Sequence, residues 1–365
     1  MIENGKINGR QFSLFVFLFI VGSSILFAPS ALAAEAKQNA WIAALIGLGV
    51  GVLVVYLYTV LGKHYPTTTL VEVSEQVLGK WIGKAVSLSF FSFSFLLSAL
   101  VLRNIGEFMV TQILTGTPIQ FLHIVFLFIV IFGARLGLET LARTAEIFFP
   151  WVIMLFILLV FFLFPQIEVT KMQPIFEGGI KPILRAALPF IELIIFMMIF
   201  PYVNQRKQAQ KAFFIGTIAG GLVLFAVTIL SILTLGADIT ARNGFPSYIL
   251  GKKISIGMFI ERIEVIVAII WMITIYFKLT ILFYVSSLGL AQTLKMSDYR
   301  FLLYPLGMIT LVLSLITYPN IVYQQNFVSK VWTPYAATYG LVLPLLFIVI
   351  EIVKKRSRTT RVPAK

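Results

Sequence analysis

The sequence predicts an all-α membrane protein with ten transmembrane helices. Of its 365 residues, 59% are hydrophobic and only 12% are charged, whereas about 25% of the residues in a soluble domain are charged. The mean hydropathy is +0.97. A chain of this composition cannot cover its surface with polar groups, so most of it must face lipid. Ten apolar stretches follow one another along the chain, and each spanning helix needs about 20 such residues.

The first apolar stretch, residues 11–33, is interrupted near its middle by Gly22, Ser23 and Ser24. Glycine is a poor helix former, and serine side chains compete for backbone hydrogen bonds, so the pattern predicts a broken helix. Transporters bind small charged ligands at such breaks near the middle of the membrane. The alternative is that these small residues only allow close helix packing.

A secretory signal peptide is a second alternative for the same stretch, because Lys6 and Arg10 precede it and small residues at 31–33 resemble a cleavage site. The apolar run is longer than the usual signal core of roughly 7–15 residues. Further spans also follow, so we expect an uncleaved first helix.

The later spans follow the same apolar pattern and set the topology. With a cytoplasmic N-terminus, most of the 29 lysines and arginines fall in cytoplasmic segments, as the positive-inside rule requires. Both termini are then cytoplasmic, and residues 354–365 form a basic tail. The nine later spans are residues 40–61, 82–102, 119–132, 147–164, 184–203, 213–235, 265–288, 301–318 and 332–353.

Two long loops carry short amphipathic helices on opposite faces of the membrane. Thr69 and Glu72 form a capping box that begins one helix, and Gly79 ends it. The other amphipathic piece is residues 255–264. Because these loops follow spans two and seven, the pattern predicts a single membrane domain, 1–365, made of two five-helix repeats of inverted topology. The two repeats are residues 11–164 and 184–353.

Span six is the mirror partner of span one in this arrangement, and it carries Glu192 between Pro189 and Pro201. Proline removes a backbone donor and kinks a helix, so both partner spans are predicted to be interrupted. Interruptions at corresponding positions of two repeats are a sequence sign of a binding site at the membrane midplane.

Lys278 lies within span eight, roughly 15 Å from its cytoplasmic end. A charge at the centre of a span costs about 2.5–3.5 kcal/mol on insertion scales, so intramembrane charges usually have a function. Glu192 and Lys278 are therefore candidate ligand-binding residues. Lys278 can replace a coupling sodium ion, meet a ligand carboxylate or titrate as a switch. The alternative is a structural ion pair between Lys278 and Glu192 that holds helices together.

Several classes of protein are excluded by what the sequence lacks. There is no cysteine, which excludes disulfides, thiolate nucleophiles and cysteine metal sites. The two histidines, His64 and His123, are far apart, and no metal-ligand spacing, phosphate-binding loop or G-x-S-x-G motif occurs. We predict no enzyme activity, no metal and no cofactor. We expect the basic residues that give the net charge of +14 to contact anionic lipid head groups rather than nucleic acid.

Five local strings, taken in order, resemble the B subunits of spore germinant receptors, which belong to the amino acid–polyamine–organocation superfamily. The resemblance covers nearly the whole chain. The strings are GSSILFAP at 22–29, LGKWIG at 78–83, TPIQ at 117–120, FIERIE at 259–264 and the basic segment after Pro201.

The resemblance implies a leucine-transporter-like fold of five plus five helices, located in the inner membrane of the spore. It implies a nutrient-sensing subunit for an amino-acid-type germinant, with an A subunit and a C-subunit lipoprotein as partners. Carried over, the ligand site comprises Gly22, Ser23, Ser24 and Ile25, with span six opposite. The lysine at 278 argues against sodium coupling. A proton-coupled amino acid permease and a passive scaffold are the alternative functions.

Overall fold

The computed structural model describes residues 3, 5–176, 179–187, 190–254 and 262–359, and this part of the chain is almost entirely helical. Seven helical stretches in it are long and apolar enough to cross a membrane. One of them, Gly9–His64, has 56 residues and contains the first two predicted spans. The prediction of an all-α membrane protein is confirmed. The count of ten spans and the two inverted repeats stay predictions.

Six helices form the first part of the chain, and they match the first five predicted spans and the first amphipathic helix. The capping box before the amphipathic helix is confirmed, because the Glu72 carboxylate accepts the Thr69 N–H at 2.8 Å and Gly79 ends the helix. The helices are α1 (Gly9–Ala36), α2 (Ala40–His64), α3 (Leu70–Leu78), α4 (Lys80–Phe108), α5 (Ile119–Leu136) and α6 (Leu138–Leu163).

The predicted break in the first span is wrong, since α1 runs through Gly22 without interruption. A Cβ atom on Gly22 would lie 2.9 Å from Cβ of Lys278 and 3.1 Å from the carbonyl oxygen of Thr274. Glycine at this position therefore allows close packing of two helices, which is the alternative that the sequence left open.

Proline at position 29 leaves one carbonyl of α1 without its helical partner, because Pro29 has no N–H to donate to Ile25. The hydroxyl of Ser247 donates to the Ile25 carbonyl at 2.5 Å instead. A side chain from a distant part of the chain thus completes the helix where its own hydrogen bonding fails.

The predicted sixth span is not a long helix. A short helix, α7 (Ile180–Ala186), is followed by two 3-10 helices, Ile191–Met198 and Phe200–Tyr202. Pro201 lacks a backbone donor and disfavours the helical conformation at the residue before it. The interruption expected here is therefore present. Pro189 itself lies outside the described residues. So do residues 255–261 of the second predicted amphipathic piece and residues 360–365 of the predicted tail.

The second part of the chain continues with five helices and ends in one long helical stretch, residues 321–359, called here the C-terminal helix. It contains two π-helical turns. Such turns are rare in proteins overall, and those that occur are frequently found at functional sites. The elements are α8 (Arg206–Leu235), α9 (Ala237–Arg242), α10 (Pro246–Lys253), α11 (Glu264–Leu294), α12 (Arg300–Ile316), α13 (Ile321–Phe327), π-turn Val328–Trp332, α14 (Thr333–Ala337), π-turn Thr338–Val342 and α15 (Leu343–Thr359).

The helix α1 is the centre of the packing and lies mainly against α8 and α11. Gly216 and Gly220 of α8 are four residues apart and face Val16 and Ile20 of α1, the small-residue arrangement that lets membrane helices approach closely. The segment before α1 also joins the irregular sixth span, because the N–H of Ile7 donates to the carbonyl of Tyr202 at 3.0 Å. Helix packing and this hydrogen bond therefore hold α1 and the irregular sixth span in place beside the candidate site.

Candidate functional site

A cavity of about 240 Å³ lies between α1, α4, the 3-10 helix Ile191–Met198, α11 and the C-terminal helix. Its walls are mainly apolar, with a few polar side chains, as is usual for small-molecule sites. Drug-sized ligands occupy pockets of about 300–1,000 Å³, so this cavity suits a smaller ligand. The polar side chains that line it are Ser23, Ser24, Asn104, Glu192, Lys278, Gln324, Trp332 and Thr333.

Lys278 of α11 is almost fully buried at this cavity, with 3% of its surface exposed. Its ammonium group donates to Ser23 Oγ at 2.6 Å and to Glu192 Oε2 at 2.9 Å. The same nitrogen lies 4.7 Å from the ring centre of Phe19, a favourable cation–π contact. Burial of a lysine charge requires such partners, and the three of them connect α11 to both α1 and the sixth span.

Glu192 faces the cavity more openly than its partner does. Its side chain is 26% exposed, against 4% for that of Lys278. The carboxylate also accepts a hydrogen bond from the indole N–H of Trp332 at 3.0 Å. The remaining residues of the 3-10 helix Ile191–Met198 are all buried. The irregular segment therefore presents one carboxylate to the cavity, flanked by the apolar side chains of Ile191 and Leu193.

The 3-10 helix is held in place by groups far away in sequence. The hydroxyl of Tyr58 lies 3.1 Å from the carbonyl oxygen of Ile191 and 2.7 Å from that of Gly340, and it serves both. A Cβ atom on Gly340 would lie 2.5 Å from the Ile191 carbonyl oxygen. Only glycine therefore allows the C-terminal helix to approach the segment that carries Glu192.

Four of the six predicted site residues line the cavity: Ser23, Ser24, Glu192 and Lys278. Gly22 lies behind them, against the backbone of α11. Ile25 is not among the lining residues; its side chain is fully buried. The ion pair that the sequence left as an alternative for Glu192 and Lys278 is present, and both of its members line the cavity, Glu192 more openly.

Sequence reasoning missed four residues that shape this site: Tyr58, Asn104, Gln324 and Trp332. Each is uncharged and lies in or beside an apolar stretch. An intramembrane charge is conspicuous because it is costly, whereas an amide, an indole or a phenol is common in spans. Polar residues inside the predicted spans were the available signal for Tyr58, and nothing in the spacing paired Asn104 with Gln324.

Comparison with known families settles the class of the protein. The model of the spore germination protein family matches residues 6–322. The chain belongs to this family. Spore germination protein KB of Bacillus subtilis (strain 168) is 28% identical to it over 98% of this chain and 97% of the relative. The resemblance to the B subunits of germinant receptors is thereby confirmed, and so is the prediction that the chain is not an enzyme.

Solved transporter structures have the same fold. MhsT in complex with L-phenylalanine superposes with a TM-score of 0.64 at 14% identity, covering 94% of this chain and 97% of MhsT. A Na⁺-coupled sialic acid symporter superposes with a TM-score of 0.66 at 13% identity, covering 95% of this chain and 79% of the symporter. The protein is thus a multi-pass membrane protein with a transporter-like fold.

Proposed function

We propose that this member of the spore germination protein family is the nutrient-sensing subunit of a germinant receptor, and that it binds an amino-acid-type ligand in the cavity beside Glu192. The observation that carries the proposal is the carboxylate of Glu192, which borders a small cavity deep among the helices while Lys278 balances its charge. A ligand ammonium group can share this carboxylate. Lys278 also lines the cavity and can meet the ligand carboxylate, so a small zwitterion binds there without burying an unpaired ion.

Sensing requires that the ligand bind two states of the protein with different affinity. Ser23 of α1, Glu192 of the irregular segment and Lys278 of α11 meet through one ammonium group. A ligand that draws Glu192 toward itself weakens this three-way contact. Such a ligand therefore changes how α1 is held against α11, and that change can pass to partner subunits, here proposed to be the A subunit and the C-subunit lipoprotein.

A proton-coupled amino acid permease is the alternative function, favoured by the transporter fold. For either function, the ammonium group of Lys278 is a fixed cation between α1 and α11. We therefore expect neither sensing nor transport to depend on sodium. We further propose that the protein resides in the inner membrane of the spore with both termini in the cytoplasm.

Binding and uptake measured on the same purified protein in liposomes distinguish these functions. A labelled amino acid panel is offered with and without a proton gradient, in buffers with sodium or with choline. Saturable binding without accumulation supports the sensor, whereas accumulation driven by the proton gradient supports the permease. Glu192→Gln should weaken binding, and Glu139→Gln, in an exposed ion pair with Arg143 of α6, is the matched control. Absence of binding to every amino acid would overturn the proposal.

The absence of cysteine from the chain allows a clean test of topology. A single cysteine introduced as Lys365→Cys should react with an impermeant maleimide only from the cytoplasmic side. Labelling from the opposite side would refute the proposed orientation.

A further inference from the structure

A second polar cluster borders the same cavity. Asn104 of α4 is 8% exposed and Gln324 of the C-terminal helix is 6% exposed. The hydroxyl of Tyr318 donates to Asn104 Oδ1 at 2.6 Å, and the side-chain nitrogen of Gln324 donates to the same oxygen. Among the described residues, no hydrogen bond joins this cluster to Lys278 or Glu192. The cavity therefore has two separate polar regions.

The two amides of this cluster keep unused hydrogen-bonding capacity. A side-chain amide has two N–H donors and one acceptor oxygen. With its oxygen occupied, Asn104 has a side-chain nitrogen that finds no partner in the described part of the chain, and the same holds for the side-chain oxygen of Gln324. Both side chains line the cavity. A donor and an acceptor are thus placed next to each other on a deeply buried wall.

The orientation of this pair is fixed from behind. The guanidinium group of Arg103 lies 5.2 Å from the ring centre of Tyr318, and Arg103 is itself paired with Glu107 at 3.4 Å. Tyr318 is only 2% exposed. Because the Tyr318 hydroxyl and the Gln324 amide both point at one oxygen, the nitrogen of Asn104 is left as the group that a ligand can meet.

The two polar regions are separated by the length of a small ligand. Trp332, which contacts Glu192, lies eight residues after Gln324 on the C-terminal helix, so the regions are on the order of 10 Å apart along it. The amino nitrogen and the amide nitrogen of an extended L-glutamine are about 6 Å apart. With a hydrogen bond of about 3 Å at each end, the distance that the bound ligand spans between protein groups is about 12 Å, comparable to the separation of the two polar regions.

We propose that Asn104 and Gln324 bind a carboxamide at the far end of the ligand, so that this cavity selects an amino acid with an amide side chain. The inference rests on the proposed function, because it assigns the rest of the same site. A carboxamide supplies an acceptor for the Asn104 nitrogen and a donor for the Gln324 oxygen. A carboxylate supplies no donor, and a thioether supplies only a weak acceptor.

Equilibrium binding to the purified protein in liposomes tests this selection with three labelled probes of similar length: L-glutamine, L-glutamate and L-methionine. All three share the amino acid backbone, so differences report the far end of the cavity. We expect the wild-type protein to bind L-glutamine at least about tenfold more tightly than the other two. Asn104→Asp keeps the oxygen that Tyr318 and Gln324 need and removes the donor. It should weaken L-glutamine binding about tenfold and leave L-methionine unchanged.

Asn243→Asp, in the turn after α9 where Asn243 bonds to the carbonyl of Ile239, is the matched control and should change nothing. Equal affinity of the wild-type protein for L-glutamine and L-methionine would overturn the inference while leaving the proposed sensor intact. The same conclusion would follow if Asn104→Asp weakened both probes equally. Binding of no amino acid at all would instead overturn the proposed function together with it.

Discussion

The helix α1 and the irregular segment 190–203 border the same cavity, yet they satisfy their backbone in opposite ways. α1 keeps regular helical hydrogen bonding past Gly22 and needs outside help at one carbonyl, that of Ile25. The segment 190–203 uses 3-10 turns and takes an outside donor from Tyr58. Small residues alone therefore do not break a membrane helix. Pro29 is tolerated within α1 because Ser247 supplies the hydrogen bond that the freed carbonyl of Ile25 lacks.

The largest expected effect comes from the contact that joins the two segments. Lys278→Met leaves Glu192 without its cation, and breaking a buried pair from one side costs about 3–5 kcal/mol. We expect this loss in the free energy of unfolding, measured by chemical denaturation in mixed micelles. The double variant Lys278→Met/Glu192→Gln should recover most of it. If the double variant is as unstable as the single one, the ion pair does not hold α11 to the irregular segment.

Gly22→Ala tests why α1 stays continuous. The new methyl group would lie 2.9 Å from Cβ of Lys278, and overpacking of this kind costs about 1–3 kcal/mol. Gly49→Ala in α2 is the matched control, because no atom lies within 4 Å of its added Cβ and alanine favours a helix interior by about 0.5–1 kcal/mol. Equal stability of the two variants would show that Gly22 is not in close contact with α11.

Ser247→Ala removes the donor to the Ile25 carbonyl, and a hydrogen bond between membrane helices is worth about 1–2 kcal/mol in model peptides. Pro29→Ala restores a backbone N–H for the same carbonyl. The double variant Pro29→Ala/Ser247→Ala should therefore lose less stability than Ser247→Ala alone. A double-mutant cycle with no coupling between the two positions would mean that Ser247 does not substitute for the missing helical bond.

Tyr58→Phe should have the smallest effect, about 0.6 kcal/mol on average for a hydrogen bond inside a membrane protein. It removes the hydroxyl shared by the carbonyls of Ile191 and Gly340. Because this hydroxyl joins the C-terminal helix to the segment that carries Glu192, the variant should weaken ligand affinity more than stability. Thermal unfolding and ligand binding measured on the same sample separate the two, and an unchanged affinity would remove Tyr58 from the support of the site.

The sequence alone predicted the membrane class, most of the long helices and the capped helix α3, because these depend on local hydropathy and capping residues. It also identified Glu192 and Lys278, since a charge in an apolar span is conspicuous. It wrongly predicted a break at Gly22, where the structure has a close contact. That contact depends on Lys278 and Thr274, which lie about 250 positions away. A separation of 220 positions likewise hid the pairing of Asn104 with Gln324.

One consequence of the irregular segment concerns the order in which the chain is made. Residues 191–198 contact the indole of Trp332 and the backbone at Gly340, and the ribosome produces both only after the twelve helices α1–α12. Until the C-terminal helix arrives, the segment therefore has Tyr58 and Lys278 as partners but lacks the indole of Trp332. A nascent chain that stops before residue 321 can insert its early helices and still lack a finished cavity. The site is therefore complete only once the C-terminal helix has been made.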